Sequence, residues 1–465
     1  MMDPTDISVI DDLKFMTGCE IGPLIASERS LRSAIDKYYG ESSILAQAMK
    51  DMREEEVEVI KEEEEEVDVT ELQLAIQEAP VVRFVDGLIK DSVRKGASDI
   101  HIEPYERFLR IRTRIDGILY ELPSPPLRLK NAIISRIKVM ANLDLAERRT
   151  PQDGHIKMRF SDKTVDLRVS TLPTIHGEKV VMRILDRSAL TLDLEKLGFE
   201  EEGYEEFLKA IHMPYGLILV TGPTGSGKTT TLYSALSHLN KPETNIMTAE
   251  DPVEFNFTGI NQLQVKEEIG LTFSVALRSF LRQDPDIIMV GEIRDLETAS
   301  IAIRAALTGH LVLSTLHTND APSAVSRLLD MGIEPFLITS SLTLVIAQRL
   351  IRKICDHCKE EVEVHPEALR EVGIDPVEFN GIPVYKGKGC IDCNNSGYKG
   401  REGIFEVMPI TAEIRNLILA KRPVAQIAEF AKQSGMLTLR EAAILKFKRG
   451  DTTLEEVARV TRTFE

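Results

Sequence analysis

Tryptophan is absent from the 465 residues, and phenylalanine with tyrosine brings the aromatic share only to 5%. A groove that tracks a single nucleic-acid strand stacks bases on aromatic rings set among basic residues, and no such interleaving occurs here. Positive charge is also short. The 57 Lys and Arg face 74 Asp and Glu, a formal charge of −17, which argues against a general nucleic-acid binder while leaving room for a local basic face. No apolar run reaches the roughly 18 residues that a membrane-spanning helix needs; the longest candidate, Phe336 to Ala347, is broken by Thr and Ser. No secretory leader is visible either. The expected setting is therefore cytoplasmic, with no direct membrane insertion and any docking made through a partner.

Cysteine is scarce as well, with five residues, of which Cys19 stands alone. The other four form two knuckles, Cys355-x-x-Cys358 and Cys390-x-x-Cys393. In a reducing compartment, paired CxxC knuckles read as a metal site rather than as disulfides. Four thiolates complete a closed tetrahedral zinc shell with no open position for catalysis, so the expected zinc is structural. Incidental cysteines are the bland alternative.

What is present is organised around Gly222, Pro223, Thr224, Gly225, Ser226, Gly227, Lys228 and Thr229. The apolar run Leu217 to Val220 precedes this stretch and a helix-like segment from Thr230 to Leu236 follows it, which gives the strand, glycine-rich turn and helix N-terminus of a P-loop. The glycines let backbone N–H groups turn inward on a polyphosphate, and the helix adds its positive end. Lys228 is expected to reach the β- and γ-phosphates of ATP, and the Thr229 hydroxyl to take a Mg²⁺ position, with Thr230 beside it in the first helical turn.

The length implies about three domains. Residues 1–50 hold two helix-like stretches too short for a core of their own. The span 51–73 is an acidic linker, since Asp51 to Asp68 carries 11 acids against Arg53 and Lys61. From 74 to 187 helix and strand patterns describe an α+β domain. Its strand Leu109 to Ile115 alternates Arg110, Arg112 and Arg114 with other residues, so the three arginines share one face. That face is either solvated or offered to an anion. Residues 188–350 alternate strands and helices as an α/β P-loop domain. The cysteine module spans 351–398, and amphipathic segments at 412–420, 424–433 and 439–449 suggest a helical C-terminal subdomain over 399–465.

In an open α/β sheet, ligands gather at the carboxyl ends of the strands. Three candidate strands end there on polar residues: 245–249 before Glu250 and Asp251, 286–290 before Gly291 and Glu292, and 311–315 shortly before His317. Glu292 is the candidate to orient and polarise the attacking water. A usual Walker B strand has Asp where Gly291 stands, so Glu250 or Asp251 is expected to supply the second Mg²⁺ ligand. His317 is read either as a γ-phosphate sensor or as a satisfied core histidine.

These motifs resemble the bacterial secretion ATPases, the PilB/GspE group that powers type IV pilus extension and type II secretion. The likeness runs from Ala79 to the C-terminus and rests on several boxes besides the P-loop: Ala97 to Glu103, Arg149 to Gly154, Arg168 to Pro173, Thr248 to Glu254, Leu281 to Asp286 with Gly291 to Asp295, Thr308 to His317, and the four cysteines. The resemblance implies a PAS-like domain hinged to a RecA-like motor domain, a homohexameric ring, and an inner-membrane platform protein as partner. It also implies arginines of the first domain completing the nucleotide site, here Arg112, Arg114 and Arg128. The opening residues resemble the end of the family's regulatory N-terminal domain, with its first half absent.

The expected function is an ATP-driven motor for type IV pilus extension at the cytoplasmic face of the inner membrane. The alternative is the type II secretion motor. A nucleic-acid translocase is disfavoured by the charge. A nucleotide switch that does not hydrolyse would not need Glu292.

Overall fold

In the computed structural model, residues 79–160, 164–185, 192–379 and 381–461 are described. The helix-like stretches of residues 1–50, Cys19 and the acidic linker lie outside them. The chain divides into two compact units, one through Ser188 and one from Ala189.

In the first unit, α1 (Ala79–Arg94) is followed by β1 (Ala97–Pro104), β2 (Leu109–Ile115) and β3 (Ile118–Leu122), then α2 (Lys130–Met140), β4 (Gln152–Arg159), β5 (Thr164–Thr174) and β6 (Gly177–Leu185). Asp116 and Gly117 turn β2 into β3 with positive φ at both positions, as a type I′ hairpin requires. The strands form one antiparallel sheet in the order β3-β2-β1-β6-β5-β4. Strict alternation sorts its faces. Ile100, Ile102, Leu109, Ile111, Leu167 and Met182 pack with Phe84, Leu88 and Ile89 of α1 and Ile133 and Ile137 of α2. Arg110, Arg112 and Arg114 take the opposite face of β2, where the register sets them beside Glu103, His101 and Asp99 of β1.

The second unit opens with α3 (Glu201–Ile211), β7 (Gly216–Thr221), α4 (Lys228–Leu239), β8 (Ile246–Glu250) and β9 (Ile260–Gln264). It continues through α5 (Phe273–Phe280), β10 (Ile287–Val290), α6 (Leu296–Leu307), β11 (Leu311–Leu316), α7 (Ala321–Asp330), α8 (Pro335–Ser341) and β12 (Leu342–Ile354). The apolar run near Phe336 is thus split between a short helix and a long strand. The six strands from β7 to β12 are parallel, and β7, β10 and β11 are buried along their whole length, which is why they read as continuous apolar runs. Helix α4 covers one sheet face through Leu232, Tyr233 and Leu236. The other face carries α5 to α8.

Beyond β12 come β13 (Lys359–Val362), α9 (Pro366–Glu371), β14 (Val384–Gly387) and β15 (Tyr398–Pro409), then α10 (Ala412–Leu419), α11 (Val424–Gln433), α12 (Leu439–Lys448) and α13 (Leu454–Thr461). The sheet order is β15-β12-β7-β11-β10-β8-β9. One expectation changes here. Residues 399–409, placed by the sequence in a helical subdomain, form an antiparallel edge strand on β12. Their apolar residues pack on both faces of the sheet, Phe405 and Val407 in the cluster that holds α3 and Met408 in the one that holds α7. Helix α13 was not expected from periodicity.

Candidate functional site

Strand β7 ends at Thr221, and the loop to α4 turns on Gly222, Gly225 and Gly227, all with positive φ. Two of these positions also lack room for a side chain. A Cβ on Gly222 would lie 2.5 Å from the Gln348 carbonyl oxygen, and one on Gly227 would lie 2.8 Å from Gln348 Nε2. Gln348 is itself buried and accepts a 2.8 Å hydrogen bond from Thr231. The Ser226 hydroxyl is a buried polar atom without a protein partner. Lys228 Nζ donates to the carbonyls of Gly222 at 2.8 Å and Pro223 at 3.0 Å. Burial pulls its pKa below the usual lysine range; Glu292 opposes that shift and Arg349 adds to it. Thr229 is exposed and Thr230 half-buried at the start of α4. A curled loop with an orphaned hydroxyl, a lysine at its mouth and free helix N–H groups fits a polyphosphate.

Glu292 follows β10, and His317 follows β11. His317 Nε2 lies 3.1 Å from Glu292 Oε2, and Arg294 is paired with the other carboxylate oxygen. Burial alone would raise the Glu292 carboxyl; Arg294 and His317 outweigh it and hold the pKa below the ordinary glutamate value. Such a carboxylate is a weak proton acceptor, suited to orienting and polarising water. Arg294 also stands 3.9 Å from Asp251. At Gly291 an added Cβ would press on the β8 backbone, 3.3 Å from the Ala249 carbonyl oxygen and 3.4 Å from Glu250 Cα. That crowding leaves little room for a side chain at this position.

Glu250 ends β8 and is buried. Its carboxylate accepts from Tyr233, from Thr248 at 2.6 Å and from Gln262 at 3.1 Å. Asp251, next in the chain, is exposed.

In the first unit, the arginine face is matched by acids. Glu103, buried at 5% exposure, is bonded by Arg112 at 2.8 Å, Arg110 at 3.1 Å and Lys179 at 3.0 Å. Burial would raise its pKa; the hydrogen bonds from Arg112, Lys179 and Arg110 bring it down to about 2. Arg114 reaches Asp99 at 3.5 Å and donates to the Gly117 carbonyl. Arg128 stands apart from that strand, exposed in the short turn Leu127–Leu129.

Sequence reasoning assigned no role to Arg294 or Arg349. The spacing of Arg294, two residues beyond Glu292, was the available signal. Nothing local marked Arg349 on β12, whose guanidinium reaches Asn319 across 30 residues of chain.

The four knuckle cysteines converge on one another. Their Sγ atoms all lie within 4.8 Å of one another, with contacts of 3.7–3.8 Å. A tetrahedron with Zn–S bonds near 2.3 Å has sulfur–sulfur edges of about 3.8 Å, so the set fits zinc. The Cys393 sulfur accepts N–H bonds from Cys390 and Gly397. Burial pushes this thiol up, and those donors with the neighbouring thiols bring it down to about 7.

Comparison with known proteins places these features. The family described as "Type II/IV secretion system protein" matches residues 75–459, and the "MshEN domain" matches residues 1–44. The Type IV pilus assembly ATPase PilB of Myxococcus xanthus is 55% identical over 459 residues, 98% of this chain and 81% of that protein. The Type II secretion system protein HxcR of Pseudomonas aeruginosa is 51% identical over 395 residues, 85% of this chain and 80% of that one. Among solved structures, the pilus retraction motor PilT with bound ADP matches with a TM-score of 0.54 and 27% identity, over 81% of this chain and 96% of that one. The α/β architecture around the P-loop is the fold of these secretion ATPases. By its motifs, its fold and a match along most of its length, the chain belongs to the Type II/IV secretion system protein family.

Proposed function

We propose that this chain is the motor ATPase of type IV pilus assembly, a homohexamer at the cytoplasmic face of the inner membrane that drives extension through a platform protein. ATP hydrolysis is carried by one observation: Glu292, kept ionised by Arg294 and His317 at the carboxyl ends of β10 and β11, within electrostatic reach of Lys228. Pilus assembly is favoured over type II secretion by identity, 55% to the PilB relative against 51% to the HxcR relative.

In this reading the amides from Gly222 to Thr229 hold the phosphates, and Lys228 neutralises charge developing on the γ-phosphate. Mg²⁺, when bound, would supply further charge stabilisation, held by Thr229 with Glu250 or Asp251. Glu292 orients water for in-line attack, and His317 fixes Glu292. Arginines supplied by a neighbouring subunit would complete the site, with Arg112, Arg114 and Arg128 of its PAS-like first domain as the candidates. Zinc held by Cys355, Cys358, Cys390 and Cys393 would be structural. No nucleic acid is involved.

The test is Glu292→Gln. It should leave nucleotide affinity unchanged and lower turnover about tenfold to a hundredfold, the share typical of a positioned acid or base group. Near-normal turnover would remove Glu292 from the chemistry. Turnover measured against protein concentration, alongside particle mass, tests the ring. A rate per chain that does not change between monomer and hexamer would refute a site completed across subunits.

A further inference from the structure

Glu406 lies in the middle of β15, 4% exposed, among the apolar side chains that fill one side of the second unit's sheet. Burying a carboxylate there is unfavourable by several kcal/mol before its partners are counted. Its partners are the first amides of two helices. One oxygen accepts from Ala321 N at 2.7 Å, and the other from Leu439 N at 3.3 Å. Ala321 begins α7 and Leu439 begins α12, so the carboxyl sits at two positive helix ends, whose amides oppose the burial that pushes its pKa up to about 7. The cap residues leave these donors to it: Asp320 takes Ser323 N, and Thr438 takes Glu441 N. One rigid group therefore closes the first turns of two helices more than a hundred residues apart in sequence.

The two helices differ in what precedes them. Helix α7 follows His317, Thr318, Asn319 and Asp320, the segment that carries the partner of Glu292. Thr318 N is fixed to Thr221, the last residue of the P-loop strand, at 2.8 Å. Arg349 lies in the same network. It donates to Asn319, feels the charges of Asp320 and Glu406, and lies near enough to Lys228 to lower that residue's pKa. Its Nη1 is a buried donor with no protein acceptor. Helix α12, by contrast, belongs to the C-terminal cluster with Ala442, Ala443 and Phe447 in its core.

We propose that Glu406 is a positioning residue that locks the His317–Asp320 segment to the first turn of α12, so that a change at the P-loop is transmitted to the C-terminal helices. The reach is short. A movement of the α7 start by about 1 Å carries a 2.7 Å hydrogen bond past its useful length, so the carboxylate and α12 follow or the bond breaks. The proposal rests on the nucleotide reading of the P-loop and adds where the signal goes.

Backbone hydrogen exchange on the full chain, with and without Mg²⁺ and ADP or ATP, tests it. In the wild type, nucleotide should slow exchange in residues 222–233 and also in 439–443, by at least about threefold in each. Glu406→Gln, which cannot accept from both amides, should keep the P-loop response and lose the one in α12. Its kcat per folded chain, with the folded fraction read from the same exchange data, should fall about tenfold while KM stays within about twofold. Should the glutamine variant not fold, Glu406→Asp retains the charge but cannot span both helices, and the same loss is expected. A P-loop response with none at α12 in the wild type overturns the coupling alone. An α12 response that survives both substitutions does so as well. No nucleotide response at residues 222–233 overturns the ATP reading itself, and the coupling with it.

Discussion

Glu456 fastens the last described helix to the motor sheet, and replacing it has a calculable consequence. Its side chain is 1% exposed and is bonded by Arg352 at 2.6 Å, by Arg459 at 2.7 Å from two nitrogens, and by the Arg352 backbone N–H at 3.1 Å. Burial alone would raise its carboxyl; the two arginines and that N–H overcome the effect and bring the pKa from 4.5 down to about 2. A shift of that size corresponds to about 3 kcal/mol of stabilisation of the charged form. Arg459 is 42% exposed, so screening reduces the figure to about 2 kcal/mol. For a carboxyl whose folded pKa is depressed, this stability is fully present above pH 4.5 and is lost as pH falls toward 2. Hydrogen exchange of the α13 amides reads local opening directly. In Glu456→Gln, those amides should exchange about thirtyfold faster at pH 7, and the gap should fall to about fivefold or less near pH 3. Acceleration below about threefold, or a gap that does not change between pH 7 and pH 3, would refute the electrostatic account.

Two further outcomes are expected. The purified chain should contain zinc, and its removal by a chelator, or Cys358→Ser, should lower the melting temperature by about 5 °C or more; a zinc-free chain, or an unchanged melting temperature, counts against the structural centre. Gly222→Ala should destabilise the chain by about 1–3 kcal/mol and weaken nucleotide binding at least about tenfold, because its Cβ meets the Gln348 carbonyl in a backbone region that strains any side chain. Unchanged nucleotide affinity would show that the loop does not need this conformation.

The parts legible in the sequence are those whose signals are local. The P-loop is one contiguous strand, turn and helix, so its residue types and spacing suffice to find it. The two-residue period of Leu109 to Ile115 sets its arginines on one face without knowledge of the neighbouring strands. The amphipathic segments at 412–420, 424–433 and 439–449 correspond to α10, α11 and α12 for the same reason. Helix α13, as short as α10, was not singled out within that helical subdomain.

Tertiary structure decided everything that depends on which distant segments meet. That the arginine face carries its own acids follows from the pairing of β1 with β2 and β6, which gathers Arg110, Arg112 and Lys179 on Glu103. The donors on Glu250 come from α4, β8 and β9, so its satisfied carboxylate was not visible in the box that contains it. Residues 399–409 became a strand because β12 offered an open edge, a fact about the sheet rather than about those residues. The sequence by itself determined the phosphate loop, the cysteine set and the family. The fold alone placed Glu406 between two helix ends and Arg349 within electrostatic reach of Lys228, because a buried polar group is defined by partners that chain order does not bring together.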